Sequence, residues 1–127
     1  MPGSYKIDTK QNLILIHSTG VVTVDDKIKQ DEANVADSKF KKNVNVMCDL
    51  SGAVYDWNLK EIDKFRSFVR RIGPRIGRSK WAVNASSGAT ERTAKIFSVL
   101  QDGHDNIVKV KLFNDRDKAM DWLQGKG

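Results

Sequence analysis

Apolar and polar residues alternate in several short stretches of the chain, and this period of two predicts β-strands. The clearest stretch is 107–113, where Val108, Val110 and Leu112 alternate with lysines. Two other stretches are apolar on both faces, as is typical of strands inside a sheet. The predicted strands are 4–9, 12–17, 44–49, 79–85 and 107–113.

Between the strands, apolar residues recur every three or four positions, which predicts amphipathic helices. The clearest begins at Asn58, which forms a capping box with Glu61, and Gly73–Pro74 is expected to end it. Its apolar face consists of Leu59, Ile62, Phe65, Val69 and Ile72.

Three further helices follow from weaker patterns. The first is capped by Thr23, runs to about residue 36 and has a thin apolar stripe. We therefore expect it to be the most exposed helix. Another covers about 89–101, and Asn114 is expected to cap the last one. The stripe of the first helix consists of Val24, Ile28, Val35 and Ala36.

The predicted order is β-β-α-β-α-β-α-β-α. Three strands that are each joined to the next by a helix imply right-handed crossovers between parallel strands, whereas the opening hairpin adds an antiparallel strand. The predicted fold class is α/β, with a mixed, mostly parallel sheet of about five strands and four helices. At 127 residues we expect a single domain over 1–127.

Composition limits the classes of protein to which the chain can belong. The chain is 39% hydrophobic and 30% charged, which is typical of a soluble domain. It has no apolar run near the roughly 20 residues that cross a bilayer and no secretory signal pattern, so we expect a cytoplasmic protein without a membrane span. Its single cysteine, Cys48, and two distant histidines predict neither a disulfide nor a metal site, and no cofactor motif is present.

The formal net charge is +6, and residues 58–127 carry 15 basic against 8 acidic residues. Part of this excess lies in the segment 70–80, where glycines and a proline separate five cations. Such a segment suits contact with phosphate or another anion. The alternative is a basic surface that only keeps the protein soluble. The candidate anion-binding residues are Arg70, Arg71, Arg75, Arg78 and Lys80.

Other polar residues follow the predicted parallel strands. Ligands of open α/β sheets bind at the carboxyl ends of the strands, beside helix N-termini. Asp49, Ser51 and Asn84 are expected at this edge, together with Ser86 and Ser87. The alternative is that they only cap helices and shape loops. His17 ends the second strand and could approach Ser51, but there is no Gly-x-Ser-x-Gly elbow, so we do not expect an enzyme.

The opening β-β-α, the sequence Asp49-Leu50-Ser51-Gly52 after a central strand and the acidic loop that follows it resemble the STAS domain, also called the SpoIIAA-like fold. The chain is most similar to a bacterial STAS/SEC14-like branch of unknown function, in which a Trp–Leu pair like Trp122–Leu123 follows an alanine like Ala119. The resemblance implies the SpoIIAA-like fold and a regulatory role.

Anti-sigma-factor antagonists of this superfamily carry a phosphorylatable serine in a pattern resembling Asp-Ser-Ser-Gly. The matching segment here is Asp56-Trp57-Asn58-Leu59, which lacks both serines. The resemblance therefore does not imply a phosphoserine switch at this position.

The leading hypothesis is a non-enzymatic module that binds an unidentified protein partner or small ligand; a homodimer is compatible with the sequence. Its predicted binding rim consists of Asp49, Ser51, Asp56, Trp57, Asn58, Ser86 and Ser87. The first alternative is a lipid or another apolar ligand between helix and sheet, walled by Phe65, Phe68 and Phe97. The second is anion or nucleic-acid binding through 70–80, although no aromatic platform favours nucleic acid.

Overall fold

Five strands form one mixed sheet in the order β1-β2-β3-β4-β5. The computed structural model describes residues 3–85, 88–102 and 108–125. β1 is antiparallel to β2, and the other neighbours are parallel, which confirms the predicted fold class. The strands are β1 (Gly3–Asp8), β2 (Leu13–Val21), β3 (Asn45–Val54), β4 (Ser79–Asn84) and β5 (Val108–Phe113).

Four helices cover the sheet unequally. Because the parallel strands are adjacent in chain order and their crossovers share one hand, α1 to α3 pack on one face. α4 packs on the other face, where Ala119 and Leu123 contact Met47 and Ala82 in a smaller core. No helix of the described ranges is long and apolar enough to cross a membrane. The helices are α1 (Val24–Ala36), α2 (Leu59–Ile76), α3 (Gly88–Asp102) and α4 (Arg116–Leu123).

α2 begins as its sequence predicts and ends later than predicted. The capping box between Asn58 and Glu61 is present in both directions. The helix continues through Pro74 to Ile76, so the expected end at Gly73–Pro74 was wrong. The chain leaves the helix at Gly77, whose positive φ of 72° is easy for glycine and whose N–H donates to the Gly73 carbonyl at 2.9 Å.

β3 is longer than predicted and reaches Val54 instead of ending at residue 49. Its second half pairs with Thr19–Val21 of β2, after an irregularity that follows His17. β4 pairs with β3 no further than Asp49, so the next backbone groups of β3 need other partners.

Two threonines of α3 supply partners for Ala53 and for the residues that follow β3. The Thr90 hydroxyl donates to the Ala53 carbonyl at 2.9 Å and accepts from the Tyr55 N–H at 3.0 Å. One turn later, the Thr93 hydroxyl donates to the Tyr55 carbonyl at 2.7 Å and accepts from the Trp57 N–H at 3.3 Å. The side chains of a helix thus replace a neighbouring strand and hold the segment between β3 and α2.

α1 departs from the expectation of an exposed helix. Lys27, Asp31 and Asn34 are buried against the core, and the Lys27 ammonium lies 3.1 Å from the Asp31 carboxylate. Val24 and Val35 are buried as predicted, whereas Ala36 is exposed. The apolar stem of a lysine can cover the sheet when its charge finds a partner, and Asp31 provides one.

Candidate functional site

Side chains from three neighbouring strands meet around the carboxylate of Asp49. Asn84 ends β4, whereas His17 and Asp49 lie in the middle of β2 and β3, which continue past them to Val21 and Val54. Asp49 Oδ1 accepts hydrogen bonds from the Ser51 hydroxyl at 2.7 Å, from the Ser51 N–H at 3.2 Å and from Asn84 Nδ2 at 3.4 Å. Asp49 Oδ2 lies 3.3 Å from His17 Nδ1. The parallel register brings these residues together, because it pairs His17 with Asp49 and Asp49 with Asn84.

These contacts set the charge of Asp49. Partial burial would raise the pKa of Asp49, but the hydrogen bonds from Ser51 and His17 outweigh it and hold that pKa below its ordinary value. The carboxylate is therefore ionised at neutral pH. The side chain of Asp49 is 16% exposed and that of His17 is 55% exposed, so the histidine is the part of the pair that solvent reaches.

α4 does not cover the part of β1, β2 and β3 around His17 and Asp49. An open groove of about 250 Å³ lies over this part of the sheet. We call it the α4-side groove. The antiparallel register places Ser4 opposite His17 and Lys6 opposite Leu15. The groove is lined by Ser4, Tyr5, Lys6, Leu15, Ile16, His17, Met47, Asp49 and Arg116.

Arg116 reaches the groove because it is the first residue of α4. The N-cap of this helix is Asp115, one residue later than the predicted Asn114. The Asp115 carboxylate accepts from the Asp117 N–H at 2.8 Å and from the Lys118 N–H at 3.3 Å. The negative charge of Asp115 thus stabilises the N-terminus of α4.

The arrangement differs from a nucleophilic triad. In such a triad the histidine lies between the nucleophile and the acid. Here Asp49 lies between Ser51 and His17, and the Ser51 hydroxyl donates to the carboxylate. Among the described residues there is also no group of three or more His, Cys, Asp and Glu side chains that could hold a metal ion. The order of the three side chains therefore differs from that of a triad, because no histidine contacts the Ser51 hydroxyl among these hydrogen bonds.

The rest of the predicted rim divides into separate roles. Asp56 is exposed and accepts from Arg92 at 2.7 Å. Asn58 caps α2. Trp57 is only 7% exposed and its indole donates to the Val22 carbonyl at 2.9 Å, so its place in an accessible rim is corrected: the large ring packs in the core. The predicted rim residues Ser86 and Ser87 lie outside the described residues.

The five cations of segment 70–80 do not share one surface. The predicted set is Arg70, Arg71, Arg75, Arg78 and Lys80. Arg75 donates to the Val35 carbonyl of α1 at 3.2 Å, whereas Lys80 donates to the Trp122 carbonyl of α4, on the opposite face, at 3.3 Å. Arg70 and Arg78 are exposed. Most of these cations thus serve contacts between elements or face solvent separately.

Two small cavities lie between the helices α1 to α3 and the sheet. Their volumes are about 30 and 50 Å³, and both are lined by Lys27 and Cys48. Of the wall predicted for the apolar-ligand alternative, Phe65 and Phe97 line the larger one, whereas Phe68 lines neither. Since about 10–15 Å³ accommodates one water molecule, each cavity suits a few waters and neither has room for a lipid chain.

Comparison with known proteins gives a likeness in structure. No protein-family profile matches the chain, and no curated protein matches it. The fold is similar to the crystal structure of an uncharacterized protein of the DUF3478 family with a SpoIIAA-like fold, from Shewanella loihica PV-4. The TM-score is 0.60 at 14% sequence identity, over 95% of this chain and 93% of that one. Since identity this low shows the fold alone, we conclude that the chain has the SpoIIAA-like fold, as its resemblance to the STAS domain implies.

Proposed function

We propose that this chain is a non-enzymatic binding module that takes a small polar ligand in the α4-side groove. One observation carries the proposal: His17 and Asp49, from adjacent parallel strands, meet in an open groove on the sheet, level with the carboxyl end of β4. The carboxyl ends of parallel strands are where open α/β sheets bind their ligands.

A binding role is supported over a catalytic one by the contacts of the polar groups. The Ser51 hydroxyl donates to Asp49, and because the pKa of Asp49 is held below its ordinary value, this carboxylate is a weak base for activating the hydroxyl. Asp49 is held ionised by its hydrogen bonds, which leaves it a poor proton donor at neutral pH.

The groove also has more support than the other candidate places. The interior cavities of about 30 and 50 Å³ are small for a lipid, which weakens the apolar-ligand alternative. The cations of segment 70–80 are divided between two faces of the protein, which weakens a single nucleic-acid surface.

The test is a screen of small polar molecules by two-dimensional amide NMR on labelled protein. We expect binders to shift the signals of Leu15, His17, Asp49 and Arg116. Ser4→Trp should abolish these shifts, because the indole would fill the groove from an exposed rim position. The matched control is Val99→Trp, which adds the same ring at an exposed site on α3.

Binders that map to α1–α3, or that bind Ser4→Trp as well as the parent, would contradict the proposal. A screen in which no molecule shifts the groove signals would contradict it as well.

A further inference from the structure

We propose that the ligand of the α4-side groove is a small organic anion with an apolar body, a carboxylate or a phosphate ester. This inference rests on the proposed function of the groove and adds the chemical class of the ligand.

The charges that remain available in the groove are positive. Lys6 from β1 and Arg116 from α4 line it, and neither forms an ion pair within the described part of the chain. The negative charge of Asp49 is already met by Ser51, Asn84 and His17. An entering ligand therefore meets free cationic donors and a carboxylate that is already hydrogen-bonded.

His17 is a further polar group that an entering ligand meets. Its Nδ1 faces Asp49, which leaves its other ring nitrogen available, and more than half of the side chain is exposed. The charged groups around it are Asp49 from β3, Lys6 from β1 and Arg116 from α4. The ring can hydrogen-bond the ligand through the available nitrogen.

The floor of the groove indicates the remainder of the ligand. It is formed by the half-buried Leu15 and by Met47, which is only 1% exposed. An apolar body can cover Leu15 while the anionic group reaches the cations of the rim. The groove volume of about 250 Å³ lies just below the roughly 300–1,000 Å³ of pockets for drug-sized molecules, so the ligand should be small.

The experiment titrates four benzene derivatives that differ in charge and follows the groove amides by NMR. Benzoate and phenyl phosphate are the anions, benzyl alcohol is the neutral probe and benzamidine is the cation. We expect both anions to bind and the other two to bind at least several-fold more weakly. The ratio of benzoate to phenyl phosphate affinity distinguishes the two sources of the anionic group.

Two variants locate the charge. Arg116→Gln and Lys6→Gln should each weaken benzoate binding by about two- to fivefold, the worth of an exposed ion pair. Arg70→Gln removes an exposed cation outside the groove and should leave the affinity unchanged. An equal loss in Arg70→Gln would overturn the inference, because the effect would then come from net charge.

A third variant tests His17. His17→Gln removes the ring from the groove and should weaken benzoate binding by about two- to tenfold, the worth of one hydrogen bond. An unchanged affinity in His17→Gln would overturn the role of the histidine.

The outcomes separate the inference from the proposed function. If benzyl alcohol or benzamidine binds in the groove as well as the anions do, the anion assignment is wrong and the binding module stands. If no probe shifts the groove signals, both are wrong.

Discussion

At the scale of single residues, α1 has two charged side chains in the interior of the protein, although its sequence predicts an exposed helix. Lys27 and Asp31 are buried and paired at 3.1 Å. Burial alone would lower the pKa of Lys27, but the charge of Asp31 outweighs it and keeps that pKa raised. Burial raises the pKa of Asp31, against the opposing effect of the lysine. Each residue therefore depends on the other to remain inside.

This dependence predicts a non-additive response to substitution. Lys27→Met alone should lower the free energy of unfolding by about 3–5 kcal/mol, because it leaves a buried carboxylate without a partner. The double variant Lys27→Met with Asp31→Leu should recover most of this loss. Urea unfolding of the three proteins measures it.

The control for this cycle is Lys64→Met. Lys64 of α2 pairs with Asp25, which lies on α1 like Lys27 and Asp31. In contrast to the buried pair, both side chains are more than half exposed. The change should cost no more than about 1 kcal/mol. A double variant as unstable as Lys27→Met alone would contradict the account of the buried pair.

Asp49 gives a prediction for pH. Its pKa is lowered in the folded protein, so its stabilising contribution is complete above the unfolded value of about 3.9 and is lost as pH falls through the lower folded value. The stability difference between the parent and Asp49→Asn should therefore be largest near neutral pH and shrink below about pH 4. Denaturant unfolding at a series of pH values measures it.

The same series on Asp56→Asn serves as comparison, since that carboxylate is exposed in its pair with Arg92. A difference between Asp49→Asn and the parent that grows towards acid pH would contradict the assignment.

At the scale of elements, α3 completes the sheet with side chains. Thr90 and Thr93 bond the backbone of the segment that joins β3 to α2. Both threonines are buried. If a hydroxyl is removed, water does not readily take its place, so the loss of its hydrogen bonds lowers stability.

Thr90→Val and Thr93→Val keep the shape of the side chain and remove both hydrogen bonds. Each should cost about 1–3 kcal/mol, because buried backbone groups are left unpaired. Thr19→Val, at an exposed position of β2, should change stability little. Thermal unfolding compares the three, and equal melting temperatures for Thr93→Val and the parent would contradict the role of the hydroxyl.

Elements whose signals lie in neighbouring residues could be predicted from the sequence. The capping box of Asn58 and Glu61 and the alternation of β5 both depend on residues close in sequence, and both appear in the fold. The inward stripe of α1 was missed because Lys27 and Asp31 are stable inside only as a pair. The extension of β3 was missed because its partners are distant in sequence: it pairs with Thr19–Val21 of β2, and Thr90 bonds Ala53 from 37 residues away.

At the scale of the whole molecule, the sheet order accounts for the groove. Sequential crossovers place α1 to α3 on one face, and α4 alone partly covers the other. Asp49 and Ser51 were predictable as candidates because they are polar residues in or directly after an apolar run, although both lie within the longer strand β3. The contributions of Lys6 and Arg116 were not predictable, because they depend on the register of β1 and on where α4 begins.

The most direct test of the central claim is a measurement of nuclear Overhauser effects between benzoate and the isotopically labelled protein. We predict contacts from the benzoate ring to the side chains of Leu15 and Met47, the floor of the α4-side groove. Contacts to Phe65 and Phe97 would instead place the ligand between the helices and the sheet. That result, or the absence of any contact to Leu15 and Met47, would contradict the account.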